Sequence, residues 1–221
     1  IHSKPVPRLG GVAIVLSFLI VLTGYILASH RLDFGMLKFW HLDQKILGVV
    51  LGLLIILIVG IIDDIRGITA SKKLFWQIIA ALIVVFSGVS IGFLRLPFGA
   101  HLDLGNLIIP INLGIIHLNI VLWSDLVSVF WLILLMNTVN FLDGLDGLAT
   151  GVSMITALAI FFLSISLGQD ANALLALLIA GVAFGFLPWN FNPARIFLGD
   201  SGSLSLGYLI GVLAMISGGK L

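Results

Sequence analysis

Residues 46–62 read ILGVVLGLLIILIVGII, a run of seventeen apolar residues that ends directly at Asp63 and Asp64. A helix of about 20 apolar residues crosses the hydrocarbon core of a bilayer, so this run predicts a membrane-spanning helix with two carboxylates at its end. Similar runs recur along the chain. We predict seven spans, at residues 11–29, 46–62, 74–94, 119–137, 148–167, 172–189 and 202–217.

The composition agrees with a chain that lies mostly in a membrane. Its 221 residues are 60% hydrophobic and only 10% charged, with a mean hydropathy of +1.24. Soluble domains carry about 25% charged residues, so these few charges could not cover a soluble surface. We therefore predict an all-α polytopic membrane protein.

The connection between the third and fourth spans has the pattern of a β-hairpin. Residues 101–104 alternate between polar and apolar side chains, and residues 107–111 are rich in β-branched side chains. Gly105-Asn106 separates the two runs, which predicts a small β-hairpin within 95–118.

Charge and cysteine content exclude several classes of function. The net charge of +1 does not suggest a nucleic-acid partner, and the absence of cysteine excludes disulfides and thiolate metal sites. The acidic residues are ten aspartates and no glutamate. A short carboxylate held close to the backbone suits metal or phosphate chemistry, and the alternative interpretation is that a chain with few solvent-exposed helices needs little glutamate.

Four polar segments fall on the same side of the membrane when seven spans are counted. They are the segment before residue 10 and the loops 63–73, 138–147 and 190–201. Four loops on one face are what an active site at a membrane interface requires. A secondary transporter is the alternative class, but its ionisable residues usually lie near the midplane on broken helices of paired repeats. Here the aspartates lie at the ends of spans, and we find no internal repeat.

Polar side chains recur every third residue after the fourth span, at Asn137, Asn140, Asp143 and Asp146. On a straight helix this spacing turns by about 60° per step, so we expect the glycines that follow the two aspartates to end or tighten the helix and let the groups converge. Carboxylate and amide oxygens suit Mg²⁺, which keeps waters and binds substrate phosphates. The alternative interpretation is a polar loop with turn-forming Asp-Gly pairs.

The last polar loop precedes the last span. Asp200 can hold a metal ion, Arg195 can offset phosphate charge, and Ser201 lies where helix N–H groups attract phosphate. The alternative is an ordinary helix start capped by Asp200 or Ser201. For Asp63 and Asp64, the alternative is a solvated helix end flanked by lysine anchors.

Taken together, these segments resemble a known family. HSKPVPRLGG (2–11), DDIRG (63–67) with KKLFWQ (72–77), NTVNFLDGLDGLA (137–149) and FNPARIFLGDSGSLSLG (191–207) are similar to the polyprenyl-phosphate N-acetylhexosamine-1-phosphate transferases, glycosyl transferase family 4. The resemblance covers essentially the whole chain. The first segment is most similar to the branch that uses UDP-N-acetylglucosamine (UDP-GlcNAc) and undecaprenyl phosphate to start cell-envelope polysaccharides. The alternative donor is another UDP-sugar, such as UDP-MurNAc-pentapeptide.

The resemblance implies a reaction and a place for it. GlcNAc-1-phosphate would pass from UDP-GlcNAc to undecaprenyl phosphate with release of UMP, at the cytoplasmic face of the bacterial inner membrane. The cofactor would be Mg²⁺, which Mn²⁺ can replace, and a homodimer is left open. The metal ligands would be Asp200 and Asn140. The catalytic set would be Asp63, Asp64, Asp143, Asp146 and Lys73, with the choice between Asp63 and Asp64 for the acceptor phosphate left open, and the substrate-binding set would be Lys4, Arg8, Asn137, Arg195 and Ser201.

One feature of the family has no match in this sequence. The resemblance implies a fold of ten or eleven helices with a His-rich cytoplasmic loop after the GDSGS helix, and no such loop follows here. We therefore expect residues 1–221 to form a single membrane-embedded transferase domain without the family's first helix, His-rich loop and last helices. A CDP-alcohol phosphotransferase is the rival enzyme. Its D-G-x-x-A-R pattern is not present, because Asp146-Gly147 is followed by Leu-Ala-Thr-Gly.

Overall fold

The described part of the chain contains seven long helices that pack as a bundle. A computed structural model describes residues 7–29, 38–39, 42–95, 101–113 and 116–218. The described helices are α1 (Gly10–Ser29), α2 (Gln44–Arg66), α3 (Ala70–Phe86), α4 (Leu122–Leu142), α5 (Leu148–Ser166), α6 (Asp170–Asn190) and α7 (Gly199–Gly218). Six of them are long and apolar enough to cross a membrane, and the remaining one, α3, has 17 residues. This confirms the predicted all-α polytopic membrane protein.

Helix α7 lies at the centre of the bundle. It packs against α1, α2, α4, α5 and α6, and 83% of its apolar stretch is buried, against 50% or less for the other candidate spans. Small residues allow this close packing. A Cβ on Gly207 would lie 2.6 Å from the carbonyl oxygen of Leu135 in α4, and the Ser205 hydroxyl donates to the Ser201 carbonyl at 2.6 Å, which satisfies it within the helix.

The third predicted span ends earlier than we expected. We predicted residues 74–94, but α3 begins at Ala70 and ends at Phe86. Gly88 adopts a left-handed conformation with φ of 92°, and the Val89 N–H donates to the Val84 carbonyl at 3.3 Å. This is a glycine-terminated helix end, and the chain beyond it is still apolar, so hydropathy alone could not show the stop. Helix α4 is also displaced from the predicted 119–137, to 122–142.

Short hairpins occupy two of the connections. Among the described residues, the strands are β1 (Lys38–Phe39), β2 (Leu42–Asp43), β3 (Phe93–Arg95), β4 (His101–Asp103), β5 (Ile108–Leu113) and β6 (Ile116–Val121). We expected residues 101–104 to pair with 107–111 across Gly105-Asn106, and this pairing is wrong. That dipeptide forms a turn, but β4 pairs with β3 and β5 pairs with β6. Alternation identifies a strand without selecting its partner.

The helix ends that carry the polar segments meet at one end of the bundle. The starts of α1, α3, α5 and α7 lie there with the ends of α2, α4 and α6, as the predicted topology requires. Backbone hydrogen bonds join two of these segments directly. The N–H of Gly10 donates to the Phe197 carbonyl at 3.1 Å, and the N–H of Gly11 donates to the Leu198 carbonyl at 3.0 Å.

Candidate active site

Asp64, in the last turn of α2, holds the first turn of α7. Its Oδ1 accepts a hydrogen bond from the backbone N–H of Asp200 at 2.7 Å, and its Oδ2 accepts one from the N–H of Ser201 at 3.0 Å. The first N–H groups of a helix have no partner within the helix, so a carboxylate there satisfies them and interacts favourably with the helix dipole. The N-cap that we considered for Asp200 or Ser201 is therefore supplied by a different helix.

Lys73, in the first turn of α3, joins two carboxylates. Its ammonium group forms ion pairs with Asp63 at the end of α2 and with Asp200 at the start of α7. Asp63 also accepts a hydrogen bond from the N–H of Ile68 at 2.7 Å. The lysine therefore links three helices at the point where the predicted catalytic residues converge.

Asn140 extends this network onto α4. Its Nδ2 donates to Asp200 Oδ1 at 3.0 Å and to Ser203 Oγ at 2.9 Å. Asn137, one turn earlier, does not join the carboxylates. Its Nδ2 donates instead to Gln77 Oε1 at 3.0 Å and to the Ile133 carbonyl at 2.8 Å.

Asp143 and Asp146 lie in the turn between α4 and α5, where the expected helix end occurs. Asp146 binds the last polar loop: its Oδ2 accepts from Asn192 Nδ2 at 3.1 Å and from the Ala194 N–H at 3.0 Å. The four groups spaced by three residues therefore separate. Asn137 bonds to α3 and Asn140 bonds to α7, whereas Asp143 and Asp146 face the last polar loop and the start of α7.

The predicted substrate-binding residues have different environments. Arg8 is exposed and lines a cavity with the aspartates. Arg195 is exposed, and its backbone N–H donates to the Trp189 carbonyl at 2.8 Å. Ser201 is fully buried, which leaves its side chain no surface for a substrate. Lys4 lies outside the described residues.

Two cavities flank the Asp200 network. The first, the acidic cavity, measures about 600 Å³. The second, the α3–α4 cavity, measures about 400 Å³. The polar residues that define the acidic cavity are Arg8, Asp64, Asp143, Asp146, Asn192 and Asp200. The residues that define the α3–α4 cavity are Lys73, Leu74, Gln77, Asn137, Asn140 and Phe141. Asp200 lines the acidic cavity, whereas Lys73 and Asn140, which bind its carboxylate, line the α3–α4 cavity.

The acidic cavity has excess negative charge. Burial, together with the charges of Asp200, Asp64 and Asp146, raises the pKa of the Asp143 carboxyl to about 7, although a hydrogen bond from the Gly199 backbone acts in the opposite direction. A cation in the cavity would favour the ionised form of these groups.

Among the described residues, no three acidic or histidine side chains form a ready-made metal cluster. Mg²⁺ does not need one, since it binds through one or two carboxylates, waters and substrate phosphates, so this donor set fits Mg²⁺.

Two participants, Ser203 and Gln77, were not among the site residues predicted from the sequence. Ser203 accepts from Asn140 and donates to the Gly199 carbonyl at 2.9 Å, and Gln77 accepts from Asn137. Gln77 follows Lys73 by four residues, so both lie on one face of α3. A glutamine on the face of an otherwise apolar helix was the signal that could have identified it.

The sequence of this chain is similar to those of known proteins. The model for glycosyl transferase family 4 matches residues 46–218. The chain is 33% identical over 217 residues to the probable undecaprenyl-phosphate N-acetylglucosaminyl 1-phosphate transferase of Bacillus subtilis (98% of this chain, 52% of that protein). It is 34% identical over 229 residues to the decaprenyl-phosphate N-acetylglucosaminephosphotransferase of Mycolicibacterium smegmatis (100% and 52%). The phospho-N-acetylmuramoyl-pentapeptide-transferase of Staphylococcus aureus is 32% identical over 213 residues (96% and 61%). The chain thus spans about half the length of the first two relatives.

Proposed function

Because the chain belongs to glycosyl transferase family 4, we propose that the protein transfers GlcNAc-1-phosphate from UDP-GlcNAc to a polyprenyl phosphate, with release of UMP. The position of Asp200 carries this proposal. Its carboxylate lines the acidic cavity and is bound by Lys73 and Asn140, which line the α3–α4 cavity. Transfer of a phosphoryl group requires donor and acceptor to meet at one point in line, and two cavities that share a wall provide such a point.

The acidic cavity suits the nucleotide sugar. Its volume of about 600 Å³ is large enough for a polar ligand of this kind. Arg8 can offset the charge of the diphosphate. Mg²⁺, or Mn²⁺ in its place, would be held by Asp200 and Asn140, and when bound it supplies charge neutralisation at the diphosphate. The Asn140 amide uses only its Nδ2 for the bonds to Asp200 and Ser203, so these bonds do not require its oxygen.

The α3–α4 cavity suits the acceptor. A lipid phosphate has a second pKa near 6, so it is largely dianionic at neutral pH and needs little help from a base. Lys73 would attract this dianion and orient it towards the acidic cavity. Asp63 would hold Lys73 in place. Both oxygens of Asp64 accept hydrogen bonds from the start of α7, so we propose that Asp64 positions Asp200 and does not transfer a proton.

Cellular placement and specificity follow from the same proposal. The protein would reside in the bacterial inner membrane with the Asp200 network at the cytoplasmic face, where nucleotide sugars are available. The UDP-GlcNAc branch is supported by the two GlcNAc-1-phosphate transferases among the relatives. The Staphylococcus aureus relative keeps UDP-MurNAc-pentapeptide as the second candidate donor. The homodimer that the sequence leaves open stays a prediction.

The test is a product analysis with purified protein in lipid nanodiscs. With UDP-GlcNAc, undecaprenyl phosphate and Mg²⁺, we expect UMP and a lipid-diphospho-sugar, and none of either after EDTA. A parallel reaction with UDP-MurNAc-pentapeptide separates the two candidate donors. Release of UDP would indicate ordinary glycosyl transfer and would refute the proposal, as would turnover that persists without divalent cations.

A further inference from the structure

Gln77 is a buried residue whose side-chain amide nitrogen makes no hydrogen bond to the described part of the chain. Its side chain is 1% exposed, and its Nε2 has no hydrogen-bond partner in the part of the chain that the structure describes. The same residue lines the α3–α4 cavity. A buried N–H group without an acceptor is costly, so native proteins rarely keep one unless a ligand, ion or water accepts from it.

The neighbouring asparagine fixes which end of the Gln77 amide is used. Gln77 Oε1 accepts from Asn137 Nδ2 at 3.0 Å, and that same nitrogen donates to the Ile133 carbonyl at 2.8 Å. The oxygen of Gln77 is therefore committed to α4, and the two N–H groups of Nε2 remain for another acceptor. The predicted phosphate ligand Lys73 lies one turn earlier on the same face of α3.

The lining of the cavity indicates what kind of acceptor enters it. Lys73, Gln77 and Asn140 supply a cation and amides on one side. The apolar lining residues Leu74 and Phe141 are 44% and 84% exposed, so they form an open apolar rim. This combination matches an anionic head group that carries a hydrocarbon chain. A nucleotide sugar carries no hydrocarbon chain that would cover such a rim.

We propose that Gln77 binds the phosphate of the acceptor lipid, with Nε2 donating to a phosphate oxygen beside Lys73. This inference rests on the proposed function, because it assumes that the acceptor is a polyprenyl phosphate. The Gln77 side chain then has two tasks. Its oxygen orients Asn137, and its nitrogen fixes the phosphate for attack on the donor in the acidic cavity.

Two substitutions separate these tasks. Gln77→Glu keeps the shape and an oxygen that accepts from Asn137, but places a negative charge where the phosphate would bind. Gln77→Leu removes both polar atoms without adding charge. A hydrogen bond to a charged group is worth about tenfold or more in affinity, so we expect the KM for undecaprenyl phosphate to rise roughly tenfold in Gln77→Leu and further in Gln77→Glu. The KM for UDP-GlcNAc should stay within about twofold in both.

A purely structural role predicts the opposite order. If Gln77 only held Asn137, Gln77→Glu would be mild and Gln77→Leu severe, and that result would overturn the inference. An increase in the donor KM in place of the acceptor KM would also overturn it. Gln169 provides a matched control, since its Oε1 also accepts from an asparagine, Asn172, at 2.6 Å, and it lies at the opposite end of the bundle. Gln169→Glu should leave the acceptor KM unchanged.

A binding measurement distinguishes failure of this inference from failure of the proposed function. Undecaprenyl phosphate should raise the melting temperature of the wild-type protein and of Gln169→Glu, and should do so much less for Gln77→Glu. If the wild type is stabilised but releases no UMP, the reaction is wrong while the Gln77 site stands. If Gln77→Glu is stabilised as much as the wild type, the site is wrong. Hexyl phosphate should compete with the lipid at concentrations where inorganic phosphate does not, and equal competition would refute a site for a lipid phosphate.

Discussion

The side chain of Asp64 accepts a hydrogen bond of 2.7 Å from the backbone N–H of Asp200, although 136 residues separate them. A second bond, from the N–H of Ser201, completes the cap on α7. The position of the Asp200 carboxylate therefore depends on a residue at the end of α2. This relationship joins the paired aspartates and the GDSGS segment into one structural unit. The two adjacent aspartates have different contacts, because Asp64 caps α7 and Asp63 forms an ion pair with Lys73.

Replacing Asp64 with asparagine should destabilise the protein. An amide has one oxygen, so it can accept from only one of the two N–H groups, and its own NH₂ would face the other. Loss of such a cap costs about 0.5–2 kcal/mol, and turnover should fall because Asp200 is no longer held. Thermal unfolding and UMP release measure the two effects. Asp103→Asn is the control, since Asp103 is exposed and accepts from Gly105 in a distant turn.

Asp64→Asn also tests the alternative role. If this variant melted at the same temperature as Asp103→Asn but had lost all turnover, Asp64 would act on the substrate and not through α7. Added Mg²⁺ should not restore the melting temperature, because the missing interaction is a hydrogen bond to the backbone.

Asp200→Asn should reduce turnover by a factor of about 10² to 10³ or more, the usual consequence of removing one charge-stabilising group from an active site. The amide is a weaker ligand for Mg²⁺ and a weaker partner for Lys73. We expect the Mg²⁺ concentration needed for half-maximal activity to rise, so that excess Mg²⁺ restores part of the turnover. Calorimetric titration of Mg²⁺ measures the binding directly. Unchanged affinity for Mg²⁺ in this variant would contradict the assignment of Asp200 to the metal.

The sequence was sufficient to predict which segments meet. Seven apolar runs fix the number of helix ends on each side, so the placement of Asp63, Lys73, Asn140 and Asp200 at one end follows from counting spans. Their pairing does not follow. Nothing local to Asp64 shows that its oxygens bind a helix 136 residues away.

Three other features could not be predicted from the sequence for the same reason. The end of α3 depends on the conformation of Gly88 and not on hydropathy, and the strand at 108–113 selects a partner in 116–121, a segment that we had partly assigned to the fourth helix. Gln77 shows its role only once Asn137 is beside it. Each of these features is set by a contact between segments, which a one-dimensional pattern does not contain.

Gly60→Ala should damage both stability and activity. Gly60 lies in α2 where this helix crosses the start of α7, and a Cβ there would lie 2.6 Å from the nitrogen of Ser201. Neither backbone can yield without moving the Asp64 cap, so we expect a loss of about 1–3 kcal/mol. Gly151→Ala, in α5, is the matched control because a Cβ there meets nothing within 4 Å. If both variants melted like the wild type, the close crossing of α2 and α7 would be incorrect.

Single cysteines should label from opposite sides of the membrane. The chain has no cysteine of its own, so each introduced thiol reports one position. We expect Arg66→Cys and Asn192→Cys to react only with reagent that reaches the cytoplasm. Asn106→Cys and Asp170→Cys should react with a membrane-impermeant reagent added outside intact spheroplasts. Labelling of position 170 from the same side as position 66 would contradict the shared polar face.

Asp146 allows a structural role to be separated from a charge-dependent one, because its Oδ2 accepts two hydrogen bonds from the last polar loop. Oδ2 accepts from Asn192 Nδ2 and from the Ala194 N–H. Asparagine can place its one oxygen there, so Asp146→Asn should keep the loop and most of the turnover. Asp146→Ala loses both bonds, each worth about 1 kcal/mol, and the KM for UDP-GlcNAc should rise roughly tenfold with a smaller change in kcat. Steady-state kinetics of the two variants at saturating acceptor provide the comparison.

The opposite outcome is also informative. If the asparagine variant were as defective as the alanine variant, the negative charge of Asp146 would be needed in the acidic cavity, which would support its place in the predicted catalytic set.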